Sequence, residues 1–197
     1  AGHGRTGRAL RSMYGGEVET IDATQVWINY PNSPNADPDA ADDSKFLFNK
    51  PDGGIDYSRI VVSQYLKICH DILSKYKTAN VFFLSRTRFL PNGVSLKEFQ
   101  SKLRSCLPTE ERRQFDNKVR VMTAHASKGL EADIVVVLRV VRGAFPLIHP
   151  DSSLYRVFGK TDADELLEER HLFYVACTRA RSKLMLITEN GEESDFL

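Results

Sequence analysis

Two segments of this chain concentrate residue types able to bind and polarise a charged ligand. The first, residues 119–138 (VRVMTAHASKGLEADIVVVL), carries a polar stretch from Thr123 to Glu131 between two apolar runs. Thr123, His125 and Ser127 offer hydrogen bonds, Lys128 supplies a cation, and Ala124, Ala126, Ser127 and Gly129 let a ligand backbone come close. Only ten residues separate Thr123 from Ile134, too few for a full crossover helix, so a tight loop with one helical turn is expected. The same composition also suits a solvated connection with incidental polar residues. The second segment, residues 168–181 (EERHLFYVACTRAR), joins an acidic pair, two aromatics and a cationic end in one helix. Arg179 and Arg181 fall near its expected C-terminus, where the helix dipole favours cations whatever the function. Phe173 and Val175 read as packing positions, and Cys177 as a small buried residue rather than a nucleophile.

The elements that must position these segments are legible from apolar patterning. Tyr57 to Tyr76 has apolar residues near helical spacing, at Ile60, Val61, Tyr65, Ile68, Ile72 and Leu73. Ser95 to Cys106 is expected as a helix with Ser95 as N-cap and Glu98 completing a capping box; Thr161 and Asp164 repeat that signature before Leu166, Leu167 and Phe173. Val81–Ser85, Val119–Thr123, Ile134–Leu138 and Leu184–Thr188 read as strands, the first three of the kind covered on both faces. Strands alternating with helices predict an α/β domain with a mainly parallel sheet. Its ligand site is then expected beyond the carboxyl ends of the strands, in the segments after Ser85, Thr123 and Leu138. Upstream, Ala23–Tyr30 (ATQVWINY) is expected as a strand, and residues 31–54, rich in Pro, Asn, Asp and Gly, as a long, partly disordered linker. The expected division is therefore an N-terminal segment over 1–56 and the α/β domain over 57–197.

Bulk composition narrows the function classes. A net charge of +1, from 27 basic and 26 acidic residues, carries no global nucleic-acid signal, so any such contact must come from locally placed cations. Three scattered cysteines outside any CxxC spacing argue against a disulfide framework or zinc site and for reduced thiols in an intracellular protein, cytoplasmic or nuclear. No apolar run approaches the roughly 18 residues of a membrane span, and no signal-peptide pattern opens the chain. The start at Ala1-Gly2-His3-Gly4 suggests a fragment.

Taken together and in order, the two segments carry a family resemblance. TAHASKGLEAD resembles motif V of superfamily 1 helicases of the UvrD/Rep type, and EERHLFYVACTRA resembles their motif VI. Gly143-Ala144-Phe145-Pro146 between them resembles the family's G-x-FP turn, VFFLSRTRF resembles its motif IVa, and the Ala-Asp after Glu131 is most like the helicase IV branch. The resemblance is strong over 119–188, weaker over 57–90, and not established over 1–56. It implies the second, RecA-like motor domain of an enzyme that hydrolyses ATP between two such domains and steps along single-stranded DNA, usually 3′ to 5′. By that resemblance Arg179 is the arginine finger that reaches the γ-phosphate, Glu131 touches the nucleotide sugar, and Gly129 permits the close approach. Thr123 and His125 face the DNA backbone with Arg86 as a further candidate, while Glu169, Arg170 and Tyr174 orient the finger helix; His171 stands where the family often has a second arginine.

Departures from the family pattern limit what this chain does alone. A P-loop requires G-x-x-x-x-G-K-[ST]; the nearest approach, Gly159-Lys160-Thr161, has Leu154 in place of the first glycine and is better explained by helix initiation. No buried strand ends in the Asp-Glu expected for magnesium and the attacking water. ATP and Mg2+ are therefore expected mainly on an N-terminal RecA-like domain of the same full-length protein, and this chain alone is expected to be inactive. Asn29-Tyr30-Pro31-Asn32-Ser33 is only a distant echo of motif IV, with proline where its arginine belongs. Gly4-Arg-Thr-Gly-Arg8 resembles a superfamily 2 arginine motif but lies at the wrong end of the chain. The alternative is a non-catalytic helicase-like module for DNA or protein contacts. A helicase–nuclease is disfavoured because Asp162, Asp164 and Glu165 read as helix N-terminal charges rather than a metal site.

Overall fold

The computed structural model describes residues 16–31, 33, 35–147 and 161–197. Gly4–Arg8, Asn32, Leu154, Gly159 and Lys160 lie outside them. Five strands, β1 (Glu17–Asp22), β2 (Val81–Ser85), β3 (Val119–Thr123), β4 (Ala132–Val137) and β5 (Ala180–Thr188), form one sheet in the order β1-β5-β4-β2-β3. Every pairing is parallel, as expected for the α/β class. The helices are α1 (Ile60–Lys75), α2 (Leu96–Cys106), α3 (Thr109–Lys118) and α4 (Asp162–Cys177).

Side-chain alternation along the strands divides the core between the two faces of the sheet. Val81 and Phe83 of β2, Ile134 and Val136 of β4, and Met185 and Ile187 of β5 pack with Val62, Leu66, Cys69 and Leu73 of α1, Phe99 and Leu103 of α2 and Phe115 of α3. Phe82 and Leu84, Val135 and Val137, and Leu184 and Leu186 face the other way, against Phe173, Ala176 and Cys177 of α4. Phe145 and Phe196 close that second cluster, with ring centroids 5.1 and 5.4 Å from Phe173. Full burial of one such large apolar side chain contributes roughly 1.5–3 kcal/mol, so the doubly covered central strands anchor the domain.

Three expectations need correction. The N-terminal strand is Glu17–Asp22, not Ala23–Tyr30: Asp22 caps a short 3-10 turn at Ala23–Gln25, and Tyr30 and Ile28 join Leu47 in a small separate cluster. β1 adds to the sheet's edge because Glu17 and Glu19 both reach Lys183 of β5, at 2.7 and 2.9 Å. β3 is the opposite edge and only partly covered, with Val119 alone of its five residues buried. At the start of α2 the Ser95 hydroxyl accepts from the Glu98 amide at 3.1 Å, but Glu98 turns its own carboxylate to Arg59 at 2.8 Å, so half the capping box forms. The Thr161–Asp164 box at α4 is complete.

The described part of residues 31–54 has little regular structure and is organised around Asn29. The buried Asn29 amide donates to the carbonyls of Asp37, Ala40 and Ala41 at 3.0–3.3 Å and accepts from the Asp37 amide at 3.0 Å. Asp43 accepts from the Asn29 amide at 3.1 Å and pairs with Lys67 of α1, which fastens this loop to the domain. Asn29 therefore has a structural occupation, consistent with a merely distant echo of motif IV.

Candidate functional site

Because the strands are parallel, the sheet has a carboxyl edge and an amino edge, and the candidate residues divide between them. The connection from β3 to β4 explains the division. It leaves the carboxyl edge at Thr123, makes the expected single turn at His125–Ser127, and returns to the amino edge at Ala132. On the way Ala124 and Leu130 pack into the α4-side cluster with Phe82 and Leu84. The turn is held at 3.3 Å by the Ala126 amide on the Thr123 hydroxyl and at 2.7 Å by the buried Ser127 hydroxyl on the Ala124 carbonyl. Gly129 takes φ +80°, a left-handed conformation that favours glycine, and open space lies where a Cβ would stand.

At the amino edge the two chemistry-bearing segments meet. Arg179 follows α4 directly; its Nε donates to the Val175 carbonyl at 2.9 Å, Nη1 to the Leu130 carbonyl at 3.3 Å and Nη2 to the Thr178 hydroxyl at 3.2 Å. All three acceptors are neutral, so they aim the half-buried guanidinium, and no ion pair compensates its charge among the described residues. The Ala132 amide closes the junction on the Arg179 carbonyl at 3.0 Å. Arg181, expected near the helix end, lies on β5 and pairs at 3.0 Å with Glu131 in an exposed contact. A cationic group, an adjacent carboxylate and the Gly129 turn thus share one surface able to receive an anionic, hydroxyl-bearing ligand.

The carboxyl edge is built differently. β2 leads into α2 on one face, and β4 precedes α4 on the other. The crevice between their carboxyl ends is thus the topological switch point at which open α/β sheets hold ligands. Thr123 and His125 leave the neighbouring β3 there, with His125 exposed. Arg86, expected on the same track, is otherwise engaged. Its Nε reaches both carboxylate oxygens of Glu169 at 2.9 Å and its Nη2 one of them at 2.6 Å, and Glu169 is only 6% exposed. The same carboxylate accepts from the Leu147 amide at 2.9 Å. Arg86 therefore anchors α4, its charge paired with a buried carboxylate.

Glu169 sits on the buried stripe of α4 with Phe173, Ala176 and Cys177, whereas Arg170, His171 and Tyr174 lie on the exposed side. A charge four residues before a buried phenylalanine was the available signal that Glu169 needs an ionic partner. Burial pushes the Cys177 thiol up to about 12, consistent with a packing role. All three cysteines are free and buried. A further residue, Arg139, passed unnoticed in the sequence: it follows β4 at the switch point with φ +58°, and its buried Nε has no hydrogen-bond partner.

Among the described residues no group of three or more His, Cys, Asp or Glu could hold a metal ion, and no helix is long and apolar enough to cross a membrane. Residues 82–191 match the family model described as UvrD-like helicase C-terminal domain. A Mycoplasma pneumoniae protein described as "Probable DNA helicase" is 44% identical over 75 residues, 38% of this chain and 13% of that protein. The ATP-dependent DNA helicase PcrA of Leuconostoc citreum is 42% identical over 71 residues, 36% of this chain and 8% of that protein. The chain thus matches only about a tenth of these relatives' length. Among solved structures, the C-terminal domain of a "possible" DNA helicase from Lactobacillus plantarum aligns with TM-score 0.42 and 16% identity, over 92% of this chain and 77% of that one.

Proposed function

The chain belongs to the family of UvrD-like helicase C-terminal domains, and from that premise we propose that it is the second motor domain of an ATP-dependent DNA helicase or translocase. Arg179 is the arginine finger, Glu131 and Gly129 border the nucleotide, and Thr123 and His125 form part of a single-stranded DNA track. The observation that carries this reading is the meeting of the two motif segments at the amino edge, where Leu130 and Val175 aim a guanidinium of uncompensated charge.

The residues present suit an ATP phosphate offered from a facing domain, which supplies the phosphoryl group for transfer when bound. Arg179 keeps its charge available because none of its contacts is a carboxylate, and it stabilises negative charge as that develops on the transferring group. Glu131 lies exposed and paired to Arg181, a contact weak enough in solvent to exchange for a sugar hydroxyl. Mg2+ and most of the phosphate contacts belong, in this reading, to the first RecA-like domain, and the isolated chain neither binds ATP tightly nor turns it over.

The deciding experiment measures DNA-stimulated ATP hydrolysis by the full-length protein and its Arg179→Ala variant. The expected loss is on the order of 10³-fold with single-stranded DNA affinity nearly unchanged. Equal turnover by the two proteins removes Arg179 from catalysis, and magnesium-dependent turnover by this chain alone overturns its dependence on a second domain.

A further inference from the structure

We propose that Arg139 is a phosphodiester-binding residue of the single-stranded DNA track. The inference rests on reading the carboxyl edge as that track, and it adds a residue outside the two motif segments.

Arg139 combines three features. Its backbone is left-handed, at φ +58°, a conformation disfavoured for a side-chain-bearing L-residue. The strand ladder on either side is intact: the Leu138 amide donates to the Leu84 carbonyl and the Val140 amide to the Ile187 carbonyl, both at 2.7 Å. The unusual conformation is therefore local to one residue and held by β2 and β5 rather than spread through a loose loop. Finally, the Arg139 Nε is buried without a partner, although buried donors in folded proteins are nearly always satisfied.

Its nearest charged neighbours are held by other groups. Glu189, following β5, accepts from the Tyr65 hydroxyl, which rises from α1 beneath the same edge. Arg139 is near enough to offset part of the rise that burial, and then the Glu189 hydrogen bond, impose on the Tyr65 pKa. No ion pair joins Arg139 to Glu189 among the described residues. Arg86, beyond β2, is by contrast bound bidentate to Glu169. The switch-point crevice thus has one arginine paired with a buried carboxylate and one, half-buried, without an ion pair among the described residues.

A guanidinium fork suits phosphate oxygens, which accept two parallel N–H donors. Thr123 and Arg139 follow β3 and β4, which flank β2, so they stand about two strand spacings, roughly 10 Å, apart. A single strand crossing the edge can span that distance and meet Thr123, His125 and Arg139 in turn. A nucleic-acid backbone is the occupant because it presents anions at repeated intervals along such a line.

Arg139→Gly tests this without threatening the fold, since glycine adopts the required φ freely. Binding of fluorescein-labelled oligothymidylate to the 197-residue chain is followed by anisotropy at several salt concentrations, alongside thermal melting. Arg139→Gly is expected to melt a few degrees higher, bind about ten-fold more weakly and lower the magnitude of the salt slope by about 0.7, the value for one phosphate contact on a single strand. Arg139→Lys should keep the slope and lose part of the affinity. Unchanged affinity and slope in Arg139→Gly, with Thr123→Ala still weakening binding, overturns the role of Arg139 and leaves the track in place. A lower melting temperature makes Arg139 structural and likewise overturns the inference. Failure of the unaltered chain to bind oligothymidylate removes both the track and Arg139 from it.

Discussion

The two edges of the sheet each present an arginine contributed by a motif segment, and the structure treats them in opposite ways. At the carboxyl edge Arg86 is locked to a carboxylate 6% exposed, which also holds the Leu147 amide. At the amino edge Arg179, among the described residues, touches only neutral acceptors, and the ion pair beside it, Glu131–Arg181, stands with side chains 54% and 63% exposed. A buried, bidentate pair fixes an element in place; a guanidinium held by carbonyls is aimed yet keeps its charge for a ligand. Residue type alone does not separate these roles. The partner does.

Stability measurements test that contrast. Glu169→Ala leaves Arg86 unpaired and the Leu147 amide without its acceptor, so urea unfolding should show a loss of about 3–5 kcal/mol. A loss under 1 kcal/mol would erase the difference between the edges. Replacing both partners, Arg86→Met with Glu169→Leu, should recover much of that loss, because no charge is then stranded. Arg179→Ala removes hydrogen bonds to neutral groups that water can partly replace, and should lower stability by about 1 kcal/mol. Smallest of all, Arg181→Ala should change stability by about 0.2–1 kcal/mol in dilute buffer, and by less as added salt screens the exposed pair.

How much of this was legible in the sequence depended on whether a physical pattern was left in the chain. β2, β4 and β5 announce themselves as apolar runs because both faces are covered, and α1 and α4 by helical spacing or a capping box. β1 was hidden because an edge strand stabilised by Glu17 and Glu19 on Lys183 need not be apolar. α3 was hidden because it buries Phe115 alone, so it has no stripe to read; Arg112 ties its first turns to the carbonyls of Leu107 and Ser105. The turn at His125–Ser127 followed from the short connection, but its return across the sheet did not, since spacing says nothing of direction. The pairing of Arg86 with Glu169 joins residues 83 positions apart and needed the fold, although the placement of Glu169 on the buried stripe marked it as a carboxylate requiring a partner. Arg139 gave no signal, because nothing in an arginine foretells a left-handed backbone.

Helix α4 connects the two edges. Glu169 is gripped partway along it, and the helix ends at Cys177, eight positions or about 12 Å further at 1.5 Å per residue, with Arg179 just beyond. The Arg86 contact therefore acts as a fulcrum and Arg179 as the tip of a rigid arm. Over that length a tilt of about 5° swings the end of the arm by about 1 Å. Slack at the carboxyl edge is thus magnified into lost aim at the amino edge.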